Sequence, residues 1–536
     1  MSFQDLLEQP FGTISELIAL AARERPTHPA LIQDDRVLDF QALDRLLDRV
    51  ATGLARAGVR AGQTIAICAA TSIEYAAVFL GAVRAAVAVA PLAPSSSDES
   101  LALMIADCGA RLVFVDAAAS RALAARQRAQ DGPGRIALDG GGHERSLNDF
   151  LASEGSAPAG SNVPPPPRAA TITPDAPFNI IYSSGTTGNP KGIVQPHRMR
   201  WAHVRRGQDS GYGPDSVTLI STPLYSNTTL VSFFPGIALG GSVVLMAKFD
   251  AAKFLALSQR HRVTHAMLVP VQYERIMAAP ELASADLTSY RMKFCTSAPF
   301  SAALKRRVLQ RWPGGLLEYY GMTEGGGTCV LAAHLFPDKL HTVGKPAPEH
   351  DVRLIDEQGR EVAQGEVGEV VGWSPLAVMT GYYGQAEKTA EAEWFSDDGR
   401  RFIRTGDVGR FDQDGFLSLL DRKKDMIISG GFNIYPSDLE AVLAQHPAVR
   451  EVAVVGVSSQ QWGETPVAFV VRAAGASVGA EQLTAFLNER VGKTQRLSAL
   501  RLVDSLPRSP IGKVLKRELR AAYEREVGDV DPKSRV

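Results

Sequence analysis

The 536-residue chain carries 57 Lys and Arg against 58 Asp and Glu, a formal net charge of −1, with 45% hydrophobic and 21% charged residues. That length exceeds what one hydrophobic core supports and predicts two or more domains, while the balanced charge excludes any global attraction to nucleic acid or an anionic membrane. Four scattered cysteines, Cys68, Cys108, Cys295 and Cys329, form neither a metal-ligand pair nor a disulfide framework and favour a reducing interior.

The N-terminus lacks a basic flank leading into an apolar run, so no secretory leader is expected. From Thr13 to Arg60 apolar residues recur at helical spacing, with a short strand at Val37–Phe40. Strands at Thr64–Cys68, Ala85–Ala90 and Arg111–Val115 alternate with helices at Ser72–Arg84, Leu101–Cys108 and Arg121–Gln130, a pattern of α/β layers around a mostly parallel sheet. The apolar region Ile65–Pro91 is broken by Glu74 and Arg84, so it reads as buried elements and not as a membrane span. The run Pro164–Pro167 blocks helix and ladder alike and reads as a connector. Beyond it the alternation resumes, with a helix from Asn227 that Pro235 is expected to end or kink, and strands at Arg291–Cys295 and Leu316–Tyr320. Between Val352 and Val371 the spacing drops toward two, predicting antiparallel strands. The charged run Asp421–Asp425 marks a second boundary, after which a small α+β domain follows. The division read here is a large domain over 1–421 and a smaller one over 422–536.

One segment dominates the chemistry. Phe178–Tyr182 reads as a strand entering Ser183-Ser184-Gly185-Thr186-Thr187-Gly188-Asn189-Pro190-Lys191-Gly192. Its glycines let backbone N–H groups approach an anion, its hydroxyls can turn to phosphate oxygens, and Lys191 adds positive charge. The spacing is not that of the usual nucleotide loop, because Lys191 is followed by Gly192 instead of Ser or Thr. Composition alone also allows a plain surface turn. Further on, Tyr320-Gly321-Met322-Thr323-Glu324-Gly325 sets a flat ring beside a glycine, with a hydroxyl and a carboxylate following. That combination suits a purine, a phosphate and its Mg²⁺. Thr405-Gly406-Asp407, Asp421-Arg422-Lys423-Lys424-Asp425, Ser429-Gly430-Gly431-Phe432 and Pro510-Ile511-Gly512-Lys513 are individually uninformative turns and charge runs.

Taken together and in this order, these segments closely resemble the signatures of the adenylate-forming superfamily, which contains acyl-CoA synthetases, aryl-CoA ligases, adenylation domains and luciferases. The resemblance spans about residue 15 to residue 525. It implies an α/β fold, with a large N-terminal domain of layered, mostly parallel sheets plus a small β-barrel-like part, and a small, mobile α+β C-terminal domain. It also implies ATP, Mg²⁺ and coenzyme A as cofactors, and an AMP-forming acid–thiol ligase passing through an acyl-adenylate. On that match Ser183, Ser184, Gly185, Thr186, Thr187, Gly188 and Lys191 hold phosphates. Ser297-Ala298-Pro299, where the family usually has Gly-Ala-Pro, lines adenine and acyl group, and Tyr320 and Gly321 receive adenine. Thr323 meets the α-phosphate, and Glu324 with Thr186 holds Mg²⁺. Asp407 and Arg422 reach the ribose, Lys424 falls at the hinge, Gly430 and Gly431 belong to the loop that contacts CoA, and Lys513 is the catalytic lysine. Tyr225, Ser226, Asn227 and Gly325 border the acid. An aromatic-histidine pair common in the family after the proline matching Pro223 is here Tyr225-Ser226, so the histidine is absent and the patch is polar, which favours an aromatic or medium-sized functionalised acid. The expected partners are a small carboxylic acid and CoA, with no nucleic acid and no membrane span, in a cytoplasmic monomer or homodimer. An adenylating enzyme loading a carrier-protein thiol is the alternative, and a nucleotide-binding protein without catalysis the remote one.

Overall fold

The structure is a computed structural model that describes residues 2–124, 133–139, 144–152, 172–183, 190–429, 432–459, 461–509 and 512–530. Its contacts divide the chain into a unit formed by residues 1–351 and 372–403, and a second formed by 352–371 and 404–536.

The first unit is a mixed α/β domain built on two large sheets, one nine-stranded and one eight-stranded. In the nine-stranded sheet the strands Val217–Ile220, Ser242–Leu245, His265–Leu268, Met292–Cys295 and Gly315–Tyr320 run parallel. Cys329–Ala332 adds on antiparallel at the Tyr320 side, pairing Tyr320 with Cys329. The eight-stranded sheet is built around Thr64–Cys68, Ala88–Leu92 and Ala110–Val115, also parallel. Strands buried on both faces need apolar side chains throughout, which is why Thr64–Cys68 is buried at every position. The helices between them are fixed by short polar caps. Asp39 accepts from the Ala42 amide at 2.7 Å and Ser72 from the Tyr75 amide at 3.1 Å, satisfying N–H groups that the helix cannot pair itself.

Two differences from the sequence reading bear on the site. Pro177–Ser183 pairs antiparallel with Lys191–Pro196, a strand that was not anticipated, so the segment carrying the glycine-rich signature joins two strands of one hairpin. The helix expected to stop near Pro235 continues over Asn227–Ala238. Proline removes one backbone donor, but this helix is buried, and packing holds the turn. Gly207 of the helix His197–Gly207 comes so close that a Cβ there would lie 2.7 Å from the Cβ of Pro235. The predicted helix Arg121–Gln130 is observed as Ala117–Ala124, and its remainder, like Pro164–Pro167, lies outside the described residues.

The second unit is α+β. Val449–Ser459 and Gly463–Arg472 form a long antiparallel pair, with Ala499–Leu502 parallel to the latter. Strict alternation gives this sheet two apolar faces. Val454, Ala468 and Val470 pack with Leu439, Leu443, Leu483 and Leu487 on one side, and Val455, Val467 and Phe469 with Leu506 and Leu519 on the other. Arg401–Phe411 and Leu417–Arg422 pair antiparallel, setting Asp407 opposite Arg422.

Candidate active site

In the first unit the functional side chains gather where the strand Gly315–Tyr320 ends. The turn that follows is shaped by Gly325, which sits at φ +76°, where a Cβ would fall 2.3 Å from the Ala377 carbonyl oxygen. The Thr323-Glu324 backbone is clamped on both sides of the turn. Gln195 Nε2 donates to the Thr323 carbonyl at 2.6 Å, and the Met379 amide donates to the Glu324 carbonyl at 2.8 Å. The Glu324 carboxylate accepts from the Tyr382 hydroxyl at 2.9 Å, and Lys191 Nζ stands 5.1 Å from the centre of the same tyrosine ring. Tyr382 therefore connects the lysine of the first signature to the carboxylate of the second. Nothing in its local sequence context singles it out.

Behind this turn lies a sealed polar network that sequence reasoning also missed. Arg200 is fully buried, and its partners are the amide oxygens of Asn179 (Nε, 3.0 Å), Asn227 (Nη2, 2.9 Å) and Gln195, with His203 Nδ1 at 3.4 Å from Nη1. Burial lowers the Arg200 pKa to about 9. Gln195 also reaches Asn227 Oδ1 at 3.2 Å, so one side-chain amide ties the Thr323 turn to the start of the helix Asn227–Ala238. A signal was present, because Asn179 and Gln195 are polar residues set among apolar ones, in Phe178-Asn179-Ile180 and Ile193-Val194-Gln195. Buried amides inside strands demand partners.

Ser297 adopts φ +81°, a left-handed conformation that glycine accepts most easily. Its hydroxyl bonds the Thr228 hydroxyl on the helix Asn227–Ala238, so the serine links the Ser297-Ala298-Pro299 turn to the segment expected to border the acid. Ser226 is buried at the head of that helix without capping it, and Tyr225 is half-buried. Tyr320 and Gly321 sit at the strand end, half-buried and exposed respectively.

The second unit gathers a different set. Arg422 Nε lies 3.1 Å from Asp407 Oδ1. The Asp407 backbone is set by Gly406 at φ +69° and by its own amide donating to Thr405 Oγ1 at 3.0 Å, while Thr405 Oγ1 donates to the Val370 carbonyl at 2.9 Å. Glu369, also missed by the sequence reading, pairs with Arg404 at 2.5 Å and Lys423 at 3.2 Å, tying the two strands together at the end that carries the Asp407–Arg422 pair. Lys513 stands on a turn closed by the Ser509 amide donating to its carbonyl at 2.8 Å, with Gly512 at φ +81°. Burial and the cationic Arg422 and Lys424 push its pKa down to about 8, against the opposing pull of Asp407 and Asp425. Lys424 is likewise shifted down by burial, with Arg422 adding to it. Lys513, Asp407, Arg422 and Lys424 are thus electrostatic neighbours. Ser184, Gly185, Thr186, Thr187, Gly188, Gly430 and Gly431 lie outside the described residues, as does the side chain of Ser183.

A glycine-shaped turn presenting an aromatic ring and a carboxylate beside a lysine, in a doubly layered α/β domain, is the arrangement expected of a nucleotide-binding enzyme. Residues 18–383 match the family model for AMP-binding enzymes, and residues 438–513 match that of the AMP-binding enzyme C-terminal domain. The chain belongs to this family, the adenylate-forming superfamily. It is 32% identical to the fatty acid–[acyl-carrier-protein] ligase ScoC of Streptomyces coeruleorubidus, covering 97% of this chain and 98% of that one. It is 33% identical to a feruloyl-CoA synthase of an Amycolatopsis species, covering 94% and 97%. Among solved structures it is similar to ATP-bound MatB of Rhodopseudomonas palustris, at 29% identity and a TM-score of 0.82, over 95% of this chain and 99% of that one.

Proposed function

We propose that the residues of these two clusters run the reaction of an AMP-forming acid–thiol ligase on an aromatic or medium-sized functionalised acid. The chain is such a ligase by family: it joins a carboxylic acid to coenzyme A through an acyl-adenylate, using ATP. A carboxylate is a poor electrophile, and its oxygen must attack the α-phosphate before any thiol can displace it. Two anions then have to meet, and the cation that allows this is Lys513. The observation that carries the reading is the convergence of Lys513, Asp407, Arg422 and Lys424 in one charged neighbourhood, with Lys513 partly desolvated. A charge placed where charge moves is commonly the largest catalytic term.

In this reading Tyr320 and Gly321 receive adenine, Asp407 and Arg422 take the ribose hydroxyls, and Lys191 with the Ser183–Gly188 segment holds the outer phosphates. Thr323 orients the α-phosphate, and Ser297-Ala298-Pro299, Tyr225, Ser226, Asn227 and Gly325 border the acid. Among the described residues the Glu324 carboxylate accepts a single hydrogen bond, and it stays half-buried, leaving lone pairs for a hard cation. Among the described residues no cluster of three or more metal-ligating side chains occurs, which fits a Mg²⁺ brought in on phosphate oxygens better than one caged by protein. Glu324, with Thr186, would hold that ion, which neutralises phosphate charge when bound. Lys424 serves as the hinge between domains divided at residue 421, and Gly430 and Gly431 meet CoA after the C-terminal domain turns. The four cysteines are buried and free, which supports the reducing, cytoplasmic setting proposed here, and a monomer or homodimer is proposed with it. No helix among the described residues is long and apolar enough to cross a membrane.

A carrier-protein thiol is the second reading for the acceptor, favoured by the similarity to the carrier-protein ligase. ATP-dependent thioester formation with CoA across benzoates, cinnamates, short dicarboxylates and fatty acids tests both. The expected result is acyl-CoA, AMP and pyrophosphate in equal amounts with one acid class. Pyrophosphate release without any CoA ester would move the acceptor to a carrier protein, and absence of pyrophosphate with every acid would overturn the reading.

A further inference from the structure

The helix His197–Gly207 carries a second inward arginine, and its situation differs from that of Arg200. Arg206 lies six residues on, half-buried, with Cζ 5.9 Å from the centre of the Tyr319 ring. Tyr319 is the residue before Tyr320, and successive side chains of a strand point to opposite faces. Arg206 therefore approaches the strand from the face opposite the one Tyr320 presents. Its one polar contact among the described residues is Nη1 with His350 Nε2 at 3.2 Å. Where Arg200 directs its donors to three amide oxygens, Arg206 has four further N–H groups without an acceptor among the described residues, and no described carboxylate within ion-pairing distance. Asp209 is the acidic group that reaches it electrostatically, from an exposed position.

The surroundings add a second indication. His350 Nδ1 is sealed from solvent and makes no hydrogen bond of good geometry, its weak backbone interaction being with Gly326, so the ring behind Arg206 is itself poorly satisfied. Burial and Arg206 together push the His350 pKa down to about 4, which leaves the ring neutral and the guanidinium as the local charge. Ser210 Oγ and the Tyr319 hydroxyl, 3.4 Å apart, complete a polar rim, and Tyr319 stacks on Phe294 at 5.9 Å. A guanidinium withdrawn from water without a counter-charge is costly to the folded protein, and it is compensated when an oxyanion arrives.

We propose that Arg206, backed by His350 and rimmed by Ser210 and Tyr319, receives a second oxyanion of the acid, so that the substrate is an acid carrying a distal carboxylate or comparable anionic group. This rests on the ligase reading and narrows it. The planar fork of arginine suits a carboxylate bidentately, and an analogue in which that carboxylate is an amide presents an N–H to a donor and loses the pairing.

The test is acid-dependent ATP–pyrophosphate exchange, run without CoA so that its phosphates cannot compete for the guanidinium. Succinate, glutarate, adipate and isophthalate are each compared with their half-amides, for wild type, Arg206→Gln and Arg206→Lys. Wild type is expected to favour the diacid in kcat/KM by at least about tenfold in one or more pairs. Arg206→Gln is expected to erase that ratio through the KM of the diacid, and Arg206→Lys to keep part of it. Half-amides accepted as well as diacids in every pair would overturn the inference, as would Arg206→Gln lowering both members of a pair by one factor. Silence with all eight acids while other carboxylic acids exchange would remove the inference and leave the ligase standing. Silence with every acid would remove both.

Discussion

The two clusters solve opposite problems. Around the Thr323-Glu324 turn, a cation is buried among neutral amides, and its work is geometric: Arg200 and Gln195 hold the turn, the hairpin strands and the head of the helix Asn227–Ala238 in one register. Around Lys513 the charges are dense, mixed in sign and partly open, and they tune one another, with Arg422 40% exposed at its side chain and Asp407 16%. The first arrangement buys rigidity; the second sets a protonation equilibrium. Disturbing the first is therefore expected to change stability, and disturbing the second to change rate, affinity and pH dependence.

The largest effect should come from Arg200→Met. It strips donors from the oxygens of Asn179, Gln195 and Asn227, and unsatisfied buried acceptors cost about 1–3 kcal/mol each, offset by no longer burying a charge. A net loss of about 2–4 kcal/mol in denaturant unfolding is expected. An unchanged midpoint would break the assignment of this network to scaffolding. Next, Asp407→Asn should raise the KM for ATP about tenfold, near 1.4 kcal/mol, with little change in unfolding. A stability loss as large as that of Arg200→Met would erase the contrast between the clusters.

The comparison sharpens further in pH. In the proposed reaction Lys513 acts as an ammonium, and its pKa is pushed down to about 8, so adenylation should fall as pH rises through about 8. Arg422→Gln removes a repelling cation and should move that fall to higher pH, whereas Asp407→Asn removes an attracting anion and should move it lower. Shifts of the same sign in both variants would contradict the electrostatic neighbourhood. The smallest effect belongs to Ser297→Gly. It relieves a left-handed serine, worth about 1 kcal/mol, and gives up the hydroxyl contact with Thr228, so the melting temperature should barely move. A strong destabilisation would show that the hydroxyl pair, and not the turn, holds that wall.

Much of this was legible in the sequence. Alternating strands and helices foretold the layered α/β unit, and the order of short motifs singles out Glu324, Asp407, Arg422 and Lys513 for the roles proposed above. What escaped were residues whose meaning is tertiary. Tyr382 lies far from any motif and matters only because Gly381-Tyr382 pairs with the strand Lys191–Pro196. Arg200 on an apparently polar helix reads as surface until the helix is placed. Pro235 misled for the same reason, since local propensity gave way to packing against Gly207.

The central claim is that Lys513 supplies the charge for adenylation without being needed to hold the nucleotide. The most direct test measures ATP binding and acid-dependent pyrophosphate exchange side by side in wild type and Lys513→Ala. The account predicts exchange reduced by about 10²–10³, the loss of roughly 3–4 kcal/mol of transition-state stabilisation, with ATP affinity within a few-fold of wild type. Exchange at the wild-type rate, or a loss that merely follows lost ATP binding, would contradict it.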